Sequence, residues 1–161
     1  MVFKTTKDVT LRWFQYRIVH RILATNSFLT KIKILNNPLC TFCKQVEETL
    51  PHIFCECEYV ERLWVMLENW IFTKTTVYIN FSKQDILFGK IGKQNNVRNL
   101  IVLIVKHYIY KQRVKGDMLF IESVKKDIIN YYNVEKYISS TKGKLNAFMQ
   151  KWSLFVNLVE P

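Results

Sequence analysis

Cys40-Thr41-Phe42-Cys43-Lys44-Gln45-Val46-Glu47-Glu48-Thr49-Leu50-Pro51-His52-Ile53-Phe54-Cys55-Glu56-Cys57 holds all four cysteines and one of the three histidines of a 161-residue chain. Two residues between the first two thiols let a tight turn aim both sulfurs at one tetrahedral ion. His52 and Cys57, with four residues between them, can complete a C-x2-C-x8-H-x4-C set. Such a Cys3His shell leaves no open position, so it is structural and not catalytic. The segment cannot bury enough apolar area to hold itself, and metal binding would supply its folding free energy. The alternative, buried reduced cysteines, sits poorly with so tight a cluster. Position 44, which many thiolate turns fill with Gly, is Lys.

The spacing leaves the last ligand open. On an α-helix Cys55 and Cys57 would point about 200° apart, so only one of them joins a site with His52. Helical spacing accepts His52 with Cys55. His52 with Cys57 requires a non-helical backbone.

Outward from this stretch, hydrophobic periodicity predicts helices on both sides. Over 10–25, Leu11, Phe14, Ile18 and Ile22 line one face, with Arg17 and Arg21 on another side and Asn26 as the stop. Ser27 is the expected cap of a short helix reaching Leu35, ended by Asn36-Asn37-Pro38. Residues 39–57 show no helical period and read as a turn-rich loop. A strong stripe follows over 58–72, then a linker or edge strand to Phe81. Ser82 and Gly89 bracket a short helix. Residues 97–113 are apolar on most sides, which marks the most buried helix. Asp117 is the expected cap of a helix over 118–139, and a last helix spans 144–157. The fold class is therefore mainly α: a helical domain with a zinc-stapled Cys/His loop between helices. Two regions are expected, 1–73 (basic helix, Cys/His loop, following helix) and 74–161 (helical tail).

Only 4 Gly and 3 Pro occur, against 49% hydrophobic residues, so the chain should fold into long helices with few breaks. The net charge of +11 favours a polyanionic partner. It is unevenly spread. Residues 1–36 carry seven Lys and Arg against Asp8 (+6), residues 37–73 carry two against six Glu (−4), and the remainder carries fifteen against six (+9). No apolar leader is visible at the start, and the longest apolar run, Leu100 to Val105, is far short of a membrane span. An intracellular setting, nuclear or cytoplasmic and not secreted, with no membrane partner, is expected. There clustered cysteines read as metal ligands.

The run Trp13-Phe14-Gln15-Tyr16-Arg17-Ile18-Val19-His20-Arg21-Ile22-Leu23-Ala24-Thr25-Asn26, then Pro38-Leu39-Cys40-Thr41-Phe42-Cys43, Glu48-Thr49-Leu50-Pro51-His52-Ile53-Phe54, Cys57 and Trp64 resembles the zinc-binding domain of non-LTR (LINE-type) retrotransposon reverse transcriptases. The resemblance implies Cys40, Cys43, His52 and Cys57 as zinc ligands, with Cys55 an extra. Residues 86–89, 99–101, 106–110 and Lys151-Trp152 are similar to the tail that follows that domain. In such elements the whole protein is an endonuclease and reverse transcriptase. The polymerase portion is thereby implied as a partner.

No catalytic residue is expected in this chain. Asp8, Asp85, Asp117 and Asp127 are none of them adjacent, so the paired-aspartate motif with which polymerases hold two metal ions is missing. Neither a P-loop nor a nucleophile elbow occurs. Binding of RNA or DNA is the expected role. Arg12, Arg17, Arg21, Lys31 and Lys33 form one candidate patch, and Lys111, Arg113 and Lys115 a second. Trp13 and Tyr16 are either stacking groups or core residues at helical spacing.

Overall fold

The structure, a computed structural model, describes residues 5–160. Eight α-helices occur among them: α1 (Val9–Val19), α2 (Asn26–Lys31), α3 (Glu58–Thr75), α4 (Lys83–Phe88), α5 (Asn96–Lys115), α6 (Ile121–Thr141), α7 (Leu145–Trp152) and α8 (Val156–Val159). No strand forms among the described residues beyond one isolated bridge, Leu39 to Glu47.

The helix apolar on most sides becomes the centre. Along α5, Val97 and every residue from Asn99 to Lys106 are buried, as are Tyr108 and Ile109. α1, α4, α6 and α7 all pack on it. The α3 stripe, Val60, Leu63, Trp64, Leu67 and Ile71, faces the same interior, and α6 adds Val124, Ile128 and Tyr132 at four-residue intervals. One hydrophobic cluster joins Phe14, Phe54 and Leu67 to Ile101, Tyr132 and Trp152. This cluster draws residues from both stretches, 1–73 and 74–161. No helix among the described residues is long and apolar enough to cross a membrane.

Several boundaries differ from the sequence expectation, each for a local reason. The first helix ends at Val19, not near Asn26. Ile22 N–H bonds Arg17 O at 2.9 Å and Arg21 N–H bonds Ile18 O at 3.1 Å, with Arg21 left-handed at φ 56°. That is a Schellman ending with Arg in the position glycine usually takes. α2 ends the same way around Lys33, φ 61°, with Ile34 N–H on Leu29 O at 2.8 Å. Its cap is Thr25, whose hydroxyl accepts from Phe28 N–H at 3.2 Å; Ser27 instead donates to Glu47 at 2.5 Å. Asp117 caps nothing: its N–H closes the end of α5 onto Gln112 O at 3.0 Å, and the next helix starts at Ile121. Ser82 does cap α4, accepting from Asp85 N–H at 3.1 Å, and Gly89 ends it. Residues 76–81 lie outside any strand.

Candidate metal centre

The first two thiols sit on a small hairpin. Cys40 N–H bonds Val46 O at 2.7 Å and Glu48 N–H bonds Pro38 O at 2.8 Å. The turn closes with Lys44 N–H on Cys40 O at 3.0 Å, and Lys44 adopts φ 59°. A β-carbon is disfavoured there, which is why glycine is common at this place in thiolate turns.

The other two ligands come from a feature the periodicity could not reveal. Residues His52–Glu56 form a π-helical turn. Thr49 begins it by accepting from His52 N–H at 3.2 Å, and Cys57 N–H closes it on His52 O at 2.9 Å, an i to i+5 bond. On an α-helix, residues five apart diverge by about 140°. The wider turn brings Cys57 back over His52, and π-turns recur at functional sites for this kind of reason. Trp64 secures it from α3: its indole N–H donates to Phe54 O at 2.8 Å, both buried. The turn-rich loop expected over 39–57 is therefore helical in its last part.

The donor atoms of Cys40, Cys43, His52 and Cys57 all lie within 4.8 Å of one another. Cys40 Sγ and Cys57 Sγ are 3.9 Å apart, and Cys43 Sγ and His52 Nε2 are 3.4 Å apart. A tetrahedron with zinc–sulfur bonds of about 2.3 Å and zinc–nitrogen bonds of about 2.0 Å has edges of about 3.8 and 3.5 Å. The four residues fit a zinc-sized ion and fill its shell. Cys40 and Cys57 are fully buried, His52 nearly so and Cys43 half-buried. The neighbouring Cys57 and burial push the Cys40 thiol up, while Cys57, accepting from Cys40, is held below its ordinary value. Cys55 stands outside the group. It is buried, and desolvation pushes its thiol up to about 12 against the opposing pull of the Lys106 ammonium.

Glu48 ties the hairpin to the rest of the molecule. One carboxylate oxygen accepts from Asn26 N–H and Arg113 Nε–H, both at 2.9 Å. The other accepts from Thr41 N–H at 2.8 Å and the Thr41 hydroxyl at 2.7 Å. Arg113 also donates to Asn26 Oδ1 at 2.6 Å. The carboxylate is wholly buried and satisfied on both oxygens, the condition under which a buried charge is tolerated. Sequence reasoning put Arg113 in a surface patch; its guanidinium is committed to this clamp.

The other predicted cations lie at the surface. Arg12 and Arg17 are on α1, Arg21 and Lys33 at the left-handed helix ends, Lys31 at the end of α2, and Lys111 and Lys115 near the end of α5, all exposed. Arg113 alone of the eight is in an ion pair among the described residues. Trp13 and Tyr16 are in solvent, 57% and 38% exposed, and not in the core. A buried cation escaped the sequence reading. The Lys106 ammonium donates to Gln15 Oε1 at 2.7 Å, and burial lowers it to about 7.

Residues 1–64 match the family model zf-RVT, described as zinc-binding in reverse transcriptase. The match runs through α1, the hairpin and the π-turn and stops at Trp64 inside α3. No catalytic reverse-transcriptase domain is matched. The chain matches no curated protein and no solved structure.

Proposed function

We propose, from the match of residues 1–64 to the family model for zinc-binding in reverse transcriptase, that this chain is a zinc-held RNA- or DNA-binding module of a LINE-type retrotransposon protein, working beside a polymerase portion and carrying no catalysis itself. Cys40, Cys43, His52 and Cys57 would hold the zinc, which supplies charge and a rigid four-way joint and no reaction. The protein side of that joint is the hairpin, the π-turn and the Glu48 clamp, which together orient α1 and α2.

The observation that carries the binding reading is the state of the basic residues. Arg12, Arg17, Arg21, Lys31, Lys33, Lys111 and Lys115 are exposed and have no carboxylate partner among the described residues. Cations free of internal pairing contact phosphates without first breaking a bond, and each contact releases counterions. The isolated aspartates argue against a polymerase or nuclease centre.

The test is fluorescence anisotropy of labelled RNA and DNA against increasing salt. Binding should weaken steeply, and Arg17→Ala or Lys31→Ala should reduce the log–log salt slope by about 1 each. Absence of a complex at low salt would overturn the reading.

A further inference from the structure

α1 has two apolar faces, and only one of them is in the core. At about 100° per residue, Leu11, Phe14, Gln15 and Ile18 gather on one side and are buried. Val9, Trp13, Tyr16 and His20 gather on the opposite side, within an arc of about 60°, and are exposed. Arg12 borders this second stripe on one flank and Arg17 on the other. The rings are ordered against each other: Trp13 meets Tyr16 edge to face at 5.4 Å, and Tyr16 meets His20 at 4.1 Å. The indole stands between two shallow grooves. Val9, Arg12 and Tyr16 line the first, and Arg17, His107 and Tyr110 are among those lining the second.

We propose that this outer face of α1 receives unpaired nucleotides, with bases stacking on the Trp13 indole and Arg12 and Arg17 meeting the adjoining phosphates. The inference rests on the nucleic-acid reading above and adds that single strands, not duplexes, are the preferred form. The chemistry of the face selects this occupant. An exposed aromatic ring offers a π-surface that any base can stack on, and bases locked in a duplex have no free face to offer. The two arginines are unpaired among the described residues, and α1 carries no acidic residue, so the face is complementary to a chain with one negative charge per base. The nearest acid in sequence, Asp8, is occupied in capping the helix, accepting from Leu11 N–H at 3.1 Å.

The experiment compares a 12-nucleotide single strand with its duplex, using the full chain and the variants Trp13→Ala, Trp13→Phe and Arg17→Ala. Circular dichroism checks that each variant is folded, which the exposure of Trp13 favours. Trp13→Ala should weaken single-strand binding about tenfold, the scale of losing one stacked base, and leave duplex binding unchanged. Trp13→Phe should restore most of the loss. Arg17→Ala should weaken both. Single-strand binding unaltered by Trp13→Ala while Arg17→Ala still weakens it would overturn the stacking face and leave the module a phosphate binder. If the unaltered protein binds neither strand at low salt, the nucleic-acid reading falls, and this inference with it.

Discussion

Glu48 and Arg113, 65 positions apart, meet at 2.9 Å with the glutamate side chain wholly buried and the arginine 9% exposed. Glu48 belongs to the Cys/His hairpin and Arg113 to the far end of α5, so this pair anchors the metal centre to the central helix. Removing one member of a buried pair leaves the other charge uncompensated. Arg113→Ala should therefore destabilise the fold by about 3–5 kcal/mol. Arg113→Lys should fall between, since an ammonium cannot reproduce the guanidinium fork that reaches Glu48 and Asn26 together. Urea unfolding measures both, and an alanine variant within about 0.5 kcal/mol of the parent would contradict the clamp.

The π-turn separates two cysteines that the spacing alone could not rank. Cys57→Ser should abolish stoichiometric metal binding, and Cys55→Ala should retain one ion per chain. Native mass spectrometry with and without chelator reads both variants directly. Retained metal in the Cys57 variant, lost in the Cys55 variant, would reverse the ligand assignment. Because binding and folding of such a loop are coupled, the chelated parent protein should also lose protection of the hairpin amides in hydrogen exchange.

Lys44 occupies a left-handed position that a β-carbon makes costly, by about 1–2 kcal/mol. Lys44→Gly removes that cost but gives the unfolded chain more freedom. The net expectation is a gain of about 0.5–1 kcal/mol, with Lys44→Val a loss. Thermal melting of the metal-loaded forms gives the order.

Lys106 makes stability depend on alkaline pH. Burial lowers the folded-state value to about 7, whereas an unfolded lysine titrates near 10.4. Between those values the unfolded chain holds a proton that the folded chain has lost, so stability rises with pH. The rise cannot exceed about 1.4 kcal/mol per pH unit for one proton. Lys106→Met should flatten it, and parent and variant urea midpoints at pH 7, 8 and 9 make the comparison. Parallel pH profiles would show that the ammonium keeps its charge through the Gln15 and Leu87 carbonyl contacts.

The helices at the centre were legible because their periodicity was strong. α3 and α5 carry apolar stripes that no loop would repeat, and Ser82 and Gly89 framed α4 by cap chemistry alone. Helix ends were less readable where Arg21 and Lys33 stand in the left-handed seat, since neither residue type announces that conformation. Spacing narrowed the ligands to Cys40, Cys43, His52 and one of Cys55 and Cys57, but the π-turn that selects Cys57 departs from 3.6 residues per turn and so leaves no mark in an α-helical period. On α1 two stripes share the same helical period, so periodicity could not say whether Trp13 and Tyr16 face inward. The Glu48–Arg113 clamp had no local signal at all; a long-range pair becomes visible only once α5 has been laid beside the hairpin.

The shared core has a consequence for how this unit could be moved or inherited. The family signature ends at Trp64, partway along α3, yet Phe14 packs on His107 and Tyr110, and Glu48 is neutralised from position 113. A peptide excised at that boundary would keep every ligand and lose the wall its helices lean on. It would expose the inner side of α1 and strand a buried carboxylate. A transplant of the signature alone should aggregate where a piece reaching Lys115 stays monodisperse.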